Sequence, residues 1–429
     1  MTSTDRLSLI TRSLQEVVGE EELKAMVESG EEIKCYWGSA PTGLIHCGYL
    51  CPMLKIADLI DAGFTMTILL ADLHAFLDNG KSPMKLVKFR TTYYEHMIIS
   101  LLEVLNVDVS KVKFVSGSSY QLSEPYMLDV FKMANETSVN EAANASTEDV
   151  KKTFKNTLSQ YTDEINAMYE LNTNSISRII QQELAKDSDQ INADNLTSQI
   201  QNILNENSNK LSQNVSTIFK NSNTDNVRVT SLLYPIMQAL DEEYLNADCE
   251  IEGIDQRKIS MFAKKHNPML GYKKRIYLMN RMIPSIASEG DEKMSSSIAN
   301  SKIEILDTPK NIRKKVSQAF CIEGDPKCNL MILVEKIMFP ILLRLNRQFT
   351  INRPEKYGGS ITYQNTEFNK LIDDFTNKTL YPADLKQGIS DFLSDLFKPI
   401  RTKFEDPELV QLVANAYPSN NSSKKSSKN

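Results

Sequence analysis

Residues Gly38 to Gly48 read GSAPTGLIHCG, and how this stretch joins its neighbours decides the fold. Lys34 to Trp37, just upstream, is short and largely apolar, as a strand inside a sheet should be. Cys47 to Asp61, just downstream, carries its apolar residues at helical spacing. A strand that turns into a helix through Gly38, Ser39 and Gly43 lets backbone approach a ligand closely, because no bulky side chain intervenes. The first turn of the helix then offers N–H groups to phosphate oxygens, so a nucleotide fits there. His46 stands at the helix start, where an imidazole can donate a hydrogen bond to an oxyanion, although a lone histidine there is more often a cap or a core contact.

The strand–helix alternation continues downstream. Phe64 to Ala71 (FTMTILLA) is a near-continuous apolar run, as a strand buried on both faces should be, and Lys85 to Leu105 is a long helix. Lys113 to Val115, Ala247 to Glu250 and Arg275 to Met279 supply further strands, the last two around a helix from Gln256 to Lys265. The expectation is an α/β fold: a doubly wound parallel five-stranded Rossmann-like catalytic sheet within residues 1–300. From about Asn135 to Asn226 the chain has no glycine or proline and is rich in Asn, Ser, Gln and Thr. Within it, Ile176, Ile179, Ile180 and Leu184 recur at helical spacing, as do Leu211, Val215, Ile218 and Phe219, so a polar, helical insertion is expected over about 140–226. Past Ser301 helices dominate (Asn311 to Phe320, Met331 to Phe339, Glu367 to Thr376, Pro382 to Phe404), which predicts a separate helical C-terminal domain over 301–418. Its basic clusters, Arg313 to Lys315, then Arg344, Arg347 and Arg353, then Lys398, Arg401 and Lys403, read individually as solvated helix faces. Residues 419–429 form a polar tail assigned no fold.

A chain of 429 residues exceeds what one hydrophobic core supports, so more than one domain is expected. At 41% hydrophobic and 24% charged residues, with no long apolar stretch, it reads as water-soluble, with no membrane partner. The polar N-terminus lacks a signal peptide's apolar run, which predicts a cytoplasmic protein. A net charge of −6 disfavours indiscriminate coating of nucleic acid, DNA included, so any RNA partner must meet a limited part of the surface. The six cysteines, at 35, 47, 51, 249, 321 and 328, form no CxxC pair and read as reduced residues. Cys47 and Cys51 lie one turn apart beside His46, but no second pair of ligands follows at the usual spacing, so no bound metal is expected.

Two more segments carry chemistry. Asp291 to Ser297 (DEKMSSS), flanked by Ser285, Ser288, Gly290 and Ser301, suits a loop with one cation, Lys293. A lysine that meets developing negative charge is what nucleotidyl chemistry requires, and a solvated linker is the plain alternative. Tyr234, Gln238 and Asp241 recur at four and three residues and so share one face of a helix. Such a polar stripe is usually a solvent face, but a hydroxyl, an amide and a carboxylate can also line a pocket for a zwitterion.

Taken together, Pro41 to Gly48 (PTGLIHCG) resembles the HIGH-type signature of class I aminoacyl-tRNA synthetases, and Lys293 to Ser297 (KMSSS) resembles their KMSKS signature. Tyr234 to Asp241 (YPIMQALD) followed by Asp255 to Lys258 (DQRK) resembles the amino-acid pocket of the eukaryotic and archaeal tyrosyl-tRNA synthetases. Two departures stand out: Tyr49 occupies the place of a second signature histidine, and Glu252 precedes Gly253 where the family often has two glycines. The resemblance, from about Leu7 to Pro418 outside most of the insertion, implies a tyrosine–tRNA ligase acting on L-tyrosine, ATP with Mg²⁺, and tRNA(Tyr), and by analogy a homodimer. It implies His46 and Lys293 as catalytic residues, with Gly38, Gly43, Gly48, Met294, Ser295, Ser296 and Ser297 also around ATP. It further implies that Tyr36 and Asp241 hold the phenolic hydroxyl, that Tyr234, Gln238 and Gln256 bind the ammonium, and that Asp72, His74, Gly253 and Asp255 support the pocket. RPEKYGGSITY and LYPADLK resemble anticodon-binding segments, implying Tyr357, Tyr381 and Asp384 near the bases, where an aromatic ring can stack. A tryptophanyl-tRNA synthetase, a small-molecule adenylyltransferase and a synthetase-derived RNA-binding protein without catalysis are the rival readings.

Overall fold

The structure is a computed structural model that describes residues 1–78, 82–146, 166, 170, 173–182, 185, 194–206, 229–286 and 302–418. These make two compact units, one of Met1–Ser138 with Leu233–Asn429 and one of Val139–Leu232. The first unit is built on a sheet in the order β1-β6-β5-β2-β3-β4. Its strands are β1 (Leu14–Val18), β2 (Lys34–Ser39), β3 (Thr65–Leu70), β4 (Val112–Ser116), β5 (Cys249–Gly253) and β6 (Ile276–Asn280).

All five expected strands are present and parallel, and the expectation of five is corrected to six. The sixth, β1, runs antiparallel to β6 at the edge, with a register shift between Leu14 and Glu16. Its sequence, LQEVV, is half exposed and has neither the apolar run nor clean alternation that marks a strand, so only pairing with β6 makes it one.

From β2 the chain winds outward to β3 and β4, and then returns to the other side of β2 as β5 and β6. This reversal opens a crevice beyond the carboxyl ends of β2 and β5, the place where open α/β sheets bind ligands. Strand alternation divides the side chains. Cys35, Trp37, Met66, Ile68, Cys249 and Ile251 join the main core with helices Leu50–Asp61 and Met84–Val104. On the opposite face, Tyr36 and Leu69 join Ala71 and Ala247 in a small separate cluster. The crevice therefore has an apolar side that holds the sheet and a sparsely apolar side left to polar groups.

Among the described residues past the sheet, the helices are Pro309–Ser317, Asn329–Leu333 running through a π turn (Val334–Met338) into Phe339–Arg344, Phe368–Thr376, Pro382–Lys403 and Pro407–Ala416. The last of these, and an antiparallel hairpin of β7 (Phe349–Ile351) with β8 (Ile361–Tyr363), add to the helices read from sequence. The hairpin packs on Pro382–Lys403 at Gly388, where an added Cβ would lie 2.8 Å from Ile351 and 2.9 Å from Phe349. In the second unit, residues 173–182 and 194–206 are helical, which takes in Ile176, Ile179 and Ile180, while Leu184, Leu211, Val215, Ile218 and Phe219 lie outside the described residues. No helix among the described residues is long and apolar enough to cross a membrane.

Candidate active site

Gly38 is exposed where its β2 neighbours are buried, because the crevice opens over it. The loop that follows is held from beneath by polar side chains aimed at its backbone. Tyr94 and Tyr417 each donate a hydroxyl proton to the Gly43 carbonyl at 2.8 Å. Arg90 donates to the Thr42 carbonyl at 2.8 Å, and Ser82 to that of Pro41 at 2.6 Å. Arg90 also donates to the Ala416 carbonyl at 3.0 Å, with its guanidinium over the Tyr417 ring, so the final helix clamps this loop. Loop carbonyls in an apolar setting need such donors, and each fixes the backbone path.

His46 is buried and caps a single turn, Cys47–Tyr49, that leads into Leu50–Asp61. The Gly48 N–H donates to His46 Nδ1 at 3.2 Å, which assigns the imidazole proton to Nε2 as a donor. Tyr49 lies edge-on to the His46 ring at 5.3 Å and contacts Trp37 and Tyr94 in the same manner, so this substitute for a second histidine packs as an aromatic brace. The residues after the serine-rich loop pair with this turn: Cys47 N–H donates to the Ile303 carbonyl at 2.8 Å, and Ile305 N–H to that of Ile45 at 3.1 Å. Lys293, Met294, Ser295, Ser296 and Ser297 themselves lie outside the described residues.

On the polar face of the sheet, Asp241 is fully buried on helix Val229–Tyr244. Its Oδ1 accepts from Tyr120 and from Gln121 Nε2 at 2.8 Å, and from Tyr126 at 2.9 Å. Its Oδ2 has no partner among the described residues, and burial pushes its pKa up to about 7. Two more buried polar atoms there lack hydrogen-bond partners among the described residues, His74 Nε2 and Gln121 Oε1, and Tyr36 Oη has none at hydrogen-bond distance although the Glu250 carboxyl lies near it. His74 Nε2 lies 3.8 Å from Asp241 Oδ2, and desolvation lowers its pKa to about 4, so the ring is neutral at neutral pH. Gln121 Nε2 lies 3.4 Å from His74 Nδ1, a contact that leaves the ring proton on Nε2. The Tyr36 pKa is raised well above its usual value by burial and by the surrounding carboxyls of Glu250, Glu242 and Asp241. Asp72 accepts from the Ser118 N–H at 2.8 Å and so fixes the turn that delivers Tyr120 and Gln121.

Tyr234 stacks edge-on against His74 at 4.7 Å and so lies at the recess, and both it and Gln238, one turn on, are half-buried. Gln256 Nε2 donates to Asp255 Oδ2 at 3.1 Å within the turn after β5. A Cβ added at Gly253 would displace the Asp255 carboxyl and lie 3.0 Å from Met282 Sδ, so a side chain there would disturb the residue that holds Gln256. Glu252, the departure beside it, is buried, with Oε1 accepting from Ser260, Oε2 unpartnered among the described residues, and a pKa raised by burial to about 8. It extends a buried acidic row with Glu250, which lies between Tyr36 and Tyr277 in register, and with Glu242, which accepts from Tyr277 at 3.0 Å.

Tyr120 and Gln121, in the turn before helix Glu124–Glu136, and Tyr126, in its first turns, were not legible from spacing, because they meet Asp241 only through folding. Far along the chain, Tyr357 and Tyr381 are exposed aromatics, at 63% and 51%. Arg353 joins their segments: it donates to the Gly359 carbonyl at 2.9 Å and the Thr379 carbonyl at 2.9 Å, and pairs with Asp384 at 3.6 Å. Several other cations in the basic clusters are tied within the fold, such as Lys315 to Asp307 and Arg344 to Asp61, each at 2.6 Å.

Comparison with known proteins decides among readings that this geometry allows. The family model for class I tRNA synthetases (W and Y) matches residues 28–168 and 142–398. A cytoplasmic tyrosine–tRNA ligase of Saccharomyces cerevisiae is 38% identical over 421 residues, which cover 96% of this chain and 88% of that protein. The chain belongs to the tyrosine–tRNA ligases. A probable cytoplasmic member of that family from Encephalitozoon cuniculi is 34% identical over 97% of this chain and the full length of its own. Against the Gallus gallus member, 38% identical, the match spans 99% of this chain and 65% of the longer bird protein. The crystal structure of tyrosyl-tRNA synthetase complexed with L-tyrosine from Archaeoglobus fulgidus has the same fold, with a TM-score of 0.67, 29% identity, and 94% of this chain and 99% of that one covered.

Proposed function

We propose that this member of the tyrosine–tRNA ligases binds L-tyrosine with its phenol in the recess between Tyr36, His74 and Asp241, and MgATP over Gly38 and the His46 turn. The carrying observation is the set of buried, unpartnered polar atoms Tyr36 Oη, His74 Nε2 and Asp241 Oδ2. Native proteins rarely leave such atoms unsatisfied, and a hydroxyl, at once donor and acceptor, answers both a carboxylate oxygen and an imidazole N–H. Tyr234, Gln238 and Gln256 are assigned to the ammonium and carboxylate end, with Asp255 holding Gln256 and Gly253 leaving space. Gly43 and Gly48 shape the ATP loop.

In the first step a tyrosine carboxylate oxygen attacks the α-phosphorus, a P–O bond forms, and the bond to pyrophosphate breaks. His46 Nε2 donates to the phosphate oxygens as charge develops, and Lys293, with Met294 and Ser295 to Ser297, is assigned to the leaving pyrophosphate. The pairing of residues 303–305 with the His46 turn supports that assignment. In the second step the terminal ribose hydroxyl of tRNA(Tyr) attacks the carbonyl and AMP departs. No protein nucleophile is required, and the barrier falls through positioning and electrostatics. Tyr357, Tyr381 and Asp384 are assigned to the anticodon, the two exposed rings as stacking platforms.

Exposed Leu122, Leu128 and Phe131, the last two on helix Glu124–Glu136, support a homodimer through this apolar patch. The yeast relative is named cytoplasmic, and we assign this chain to the same compartment. ATP–pyrophosphate exchange with tyrosine, tryptophan and phenylalanine tests the reading: tyrosine alone should support exchange, and preference for tryptophan overturns it.

A further inference from the structure

The connection between helices Pro309–Ser317 and Asn329–Leu333 contains the eight residues CIEGDPKC, from Cys321 to Cys328. The two sulfurs lie 3.5 Å apart in a hydrogen-bonding contact. Between them the chain turns tightly, with Gly324 in the left-handed region at φ +76° and the Lys327 N–H donating to Asp325 Oδ1 at 2.9 Å. Cys321 is half-buried, Cys328 behind it is buried at 5%, and Ile322, Glu323 and Lys327 are exposed. A small polar reagent from solvent can therefore reach the edge of this contact.

The other cysteines provide the contrast. Cys35 and Cys249 are register partners on β2 and β5, but both are sealed in the core, at 1% and 0% exposure. Burial pushes the Cys35 thiol well up, and those of Cys47 and Cys51 to about 12 and about 11. Only the Cys328 thiol moves down, to about 7, because the Cys321 contact outweighs its burial. The thiolate is the reactive form, and the acidic Cys328 sulfur lies in contact with the half-buried Cys321 at the edge of an exposed turn.

We propose that Cys321 and Cys328 form an oxidation site, at which a peroxide converts the dithiol into an intramolecular disulfide that closes the loop and a thiol reductant reopens it. The site stands on this geometry and is independent of the assignments made for the recess. The Cys328 thiolate attacks one peroxide oxygen, an S–O bond forms, and the O–O bond breaks to release hydroxide, which leaves as water. The Cys321 sulfur then attacks the Cys328 sulfur, the S–S bond forms, and the S–O bond breaks with loss of a second water. Two thiols are oxidised and one peroxide is reduced. The sulfurs must close by about 1.5 Å to reach disulfide length, a movement that a short exposed turn with a glycine allows.

The test treats the full-length protein with hydrogen peroxide, then denatures it, blocks free thiols with N-ethylmaleimide, and maps the peptides by mass spectrometry. The expected product is a Cys321–Cys328 peptide lighter by two hydrogens and unblocked at both sulfurs, with Cys35, Cys47, Cys51 and Cys249 fully blocked. Dithiothreitol should restore both blocking sites. Oxidation of Cys35 with Cys249 at a similar rate, or full blocking of Cys321 and Cys328 after peroxide, overturns the proposal. In Cys321→Ser, which keeps a small polar group at a half-buried position, the resolving sulfur is gone, so Cys328 should accumulate as a sulfenic acid trapped by dimedone. Absence of that adduct overturns Cys328 as the attacking sulfur.

Discussion

Asp241 divides its two oxygens between the protein and the recess. Three donors saturate Oδ1, which fixes the carboxyl plane, and Oδ2 is left facing His74. Asp241→Asn offers an N–H in place of an acceptor. Exchange kcat/KM for tyrosine should then fall by roughly 5- to 150-fold, the equivalent of about 1–3 kcal/mol for an unsatisfied buried group. Phenylalanine should be unaffected, and an unchanged tyrosine-to-phenylalanine ratio refutes the role. A second residue-scale consequence concerns Tyr417, one of two hydroxyls on the Gly43 carbonyl. Tyr417→Phe keeps the ring over Arg90 but removes that donor, at about 1 kcal/mol. The KM for ATP should rise severalfold with the KM for tyrosine unchanged, and equal changes in both would show a merely structural loss. The motif residues were readable because their chemistry is local to short segments. Their holders were not, since Tyr120 meets Asp241 across 121 residues and Tyr417 meets Gly43 across 374.

Among elements, strands buried on both faces were the most legible, because β6 (IYLMN) is buried throughout and β3 (TMTILL) over its last three residues, as an apolar run announces. β1 was missed because an edge strand with one wet side has no such run. The hairpin of β7 and β8 has three residues per strand, too short for alternation to register. Helix Pro407–Ala416 did carry a signal: Asp406 caps it by accepting from the N–H groups of Glu408 and Leu409, with Pro407 in the first turn. Gly388 tests how the hairpin is seated. Gly388→Ala would place a methyl against Ile351 and Phe349 inside their contact distance. The protein should lose about 1–3 kcal/mol of stability through overpacking, seen as a Tm lower by several degrees, with tyrosine-dependent exchange retained by the folded fraction. An unchanged Tm would mean that the hairpin is not held there.

At the scale of the molecule, the buried acidic row makes stability depend on pH. Burial raises Asp241 to about 7 and Glu242 and Glu252 to about 8, against ordinary values near 4 in the unfolded chain. The folded state then holds more protons than the unfolded one between these limits. The contribution is complete below the unfolded values and is lost as pH rises through about 7–8. Glu252→Gln keeps an acceptor for Ser260 and removes one of these protons. Its Tm should fall less than the parent's between about pH 6 and about pH 9, and parallel curves would exclude Glu252 as a source. The proposed homodimer is tested at the same scale. Phe131→Glu should convert a dimer to a monomer in light scattering at low concentration, and an unchanged mass would remove this patch from the interface. The sequence by itself determined the alternation of strands and helices, the glycine turn and the polar helix face, since each depends on spacing within about twenty residues. Tertiary structure decided which oxygen of Asp241 stays open, which aromatics hold the glycine turn, and which cysteines touch. Those outcomes depend on where chain segments far apart in sequence come to rest, and no local period records that.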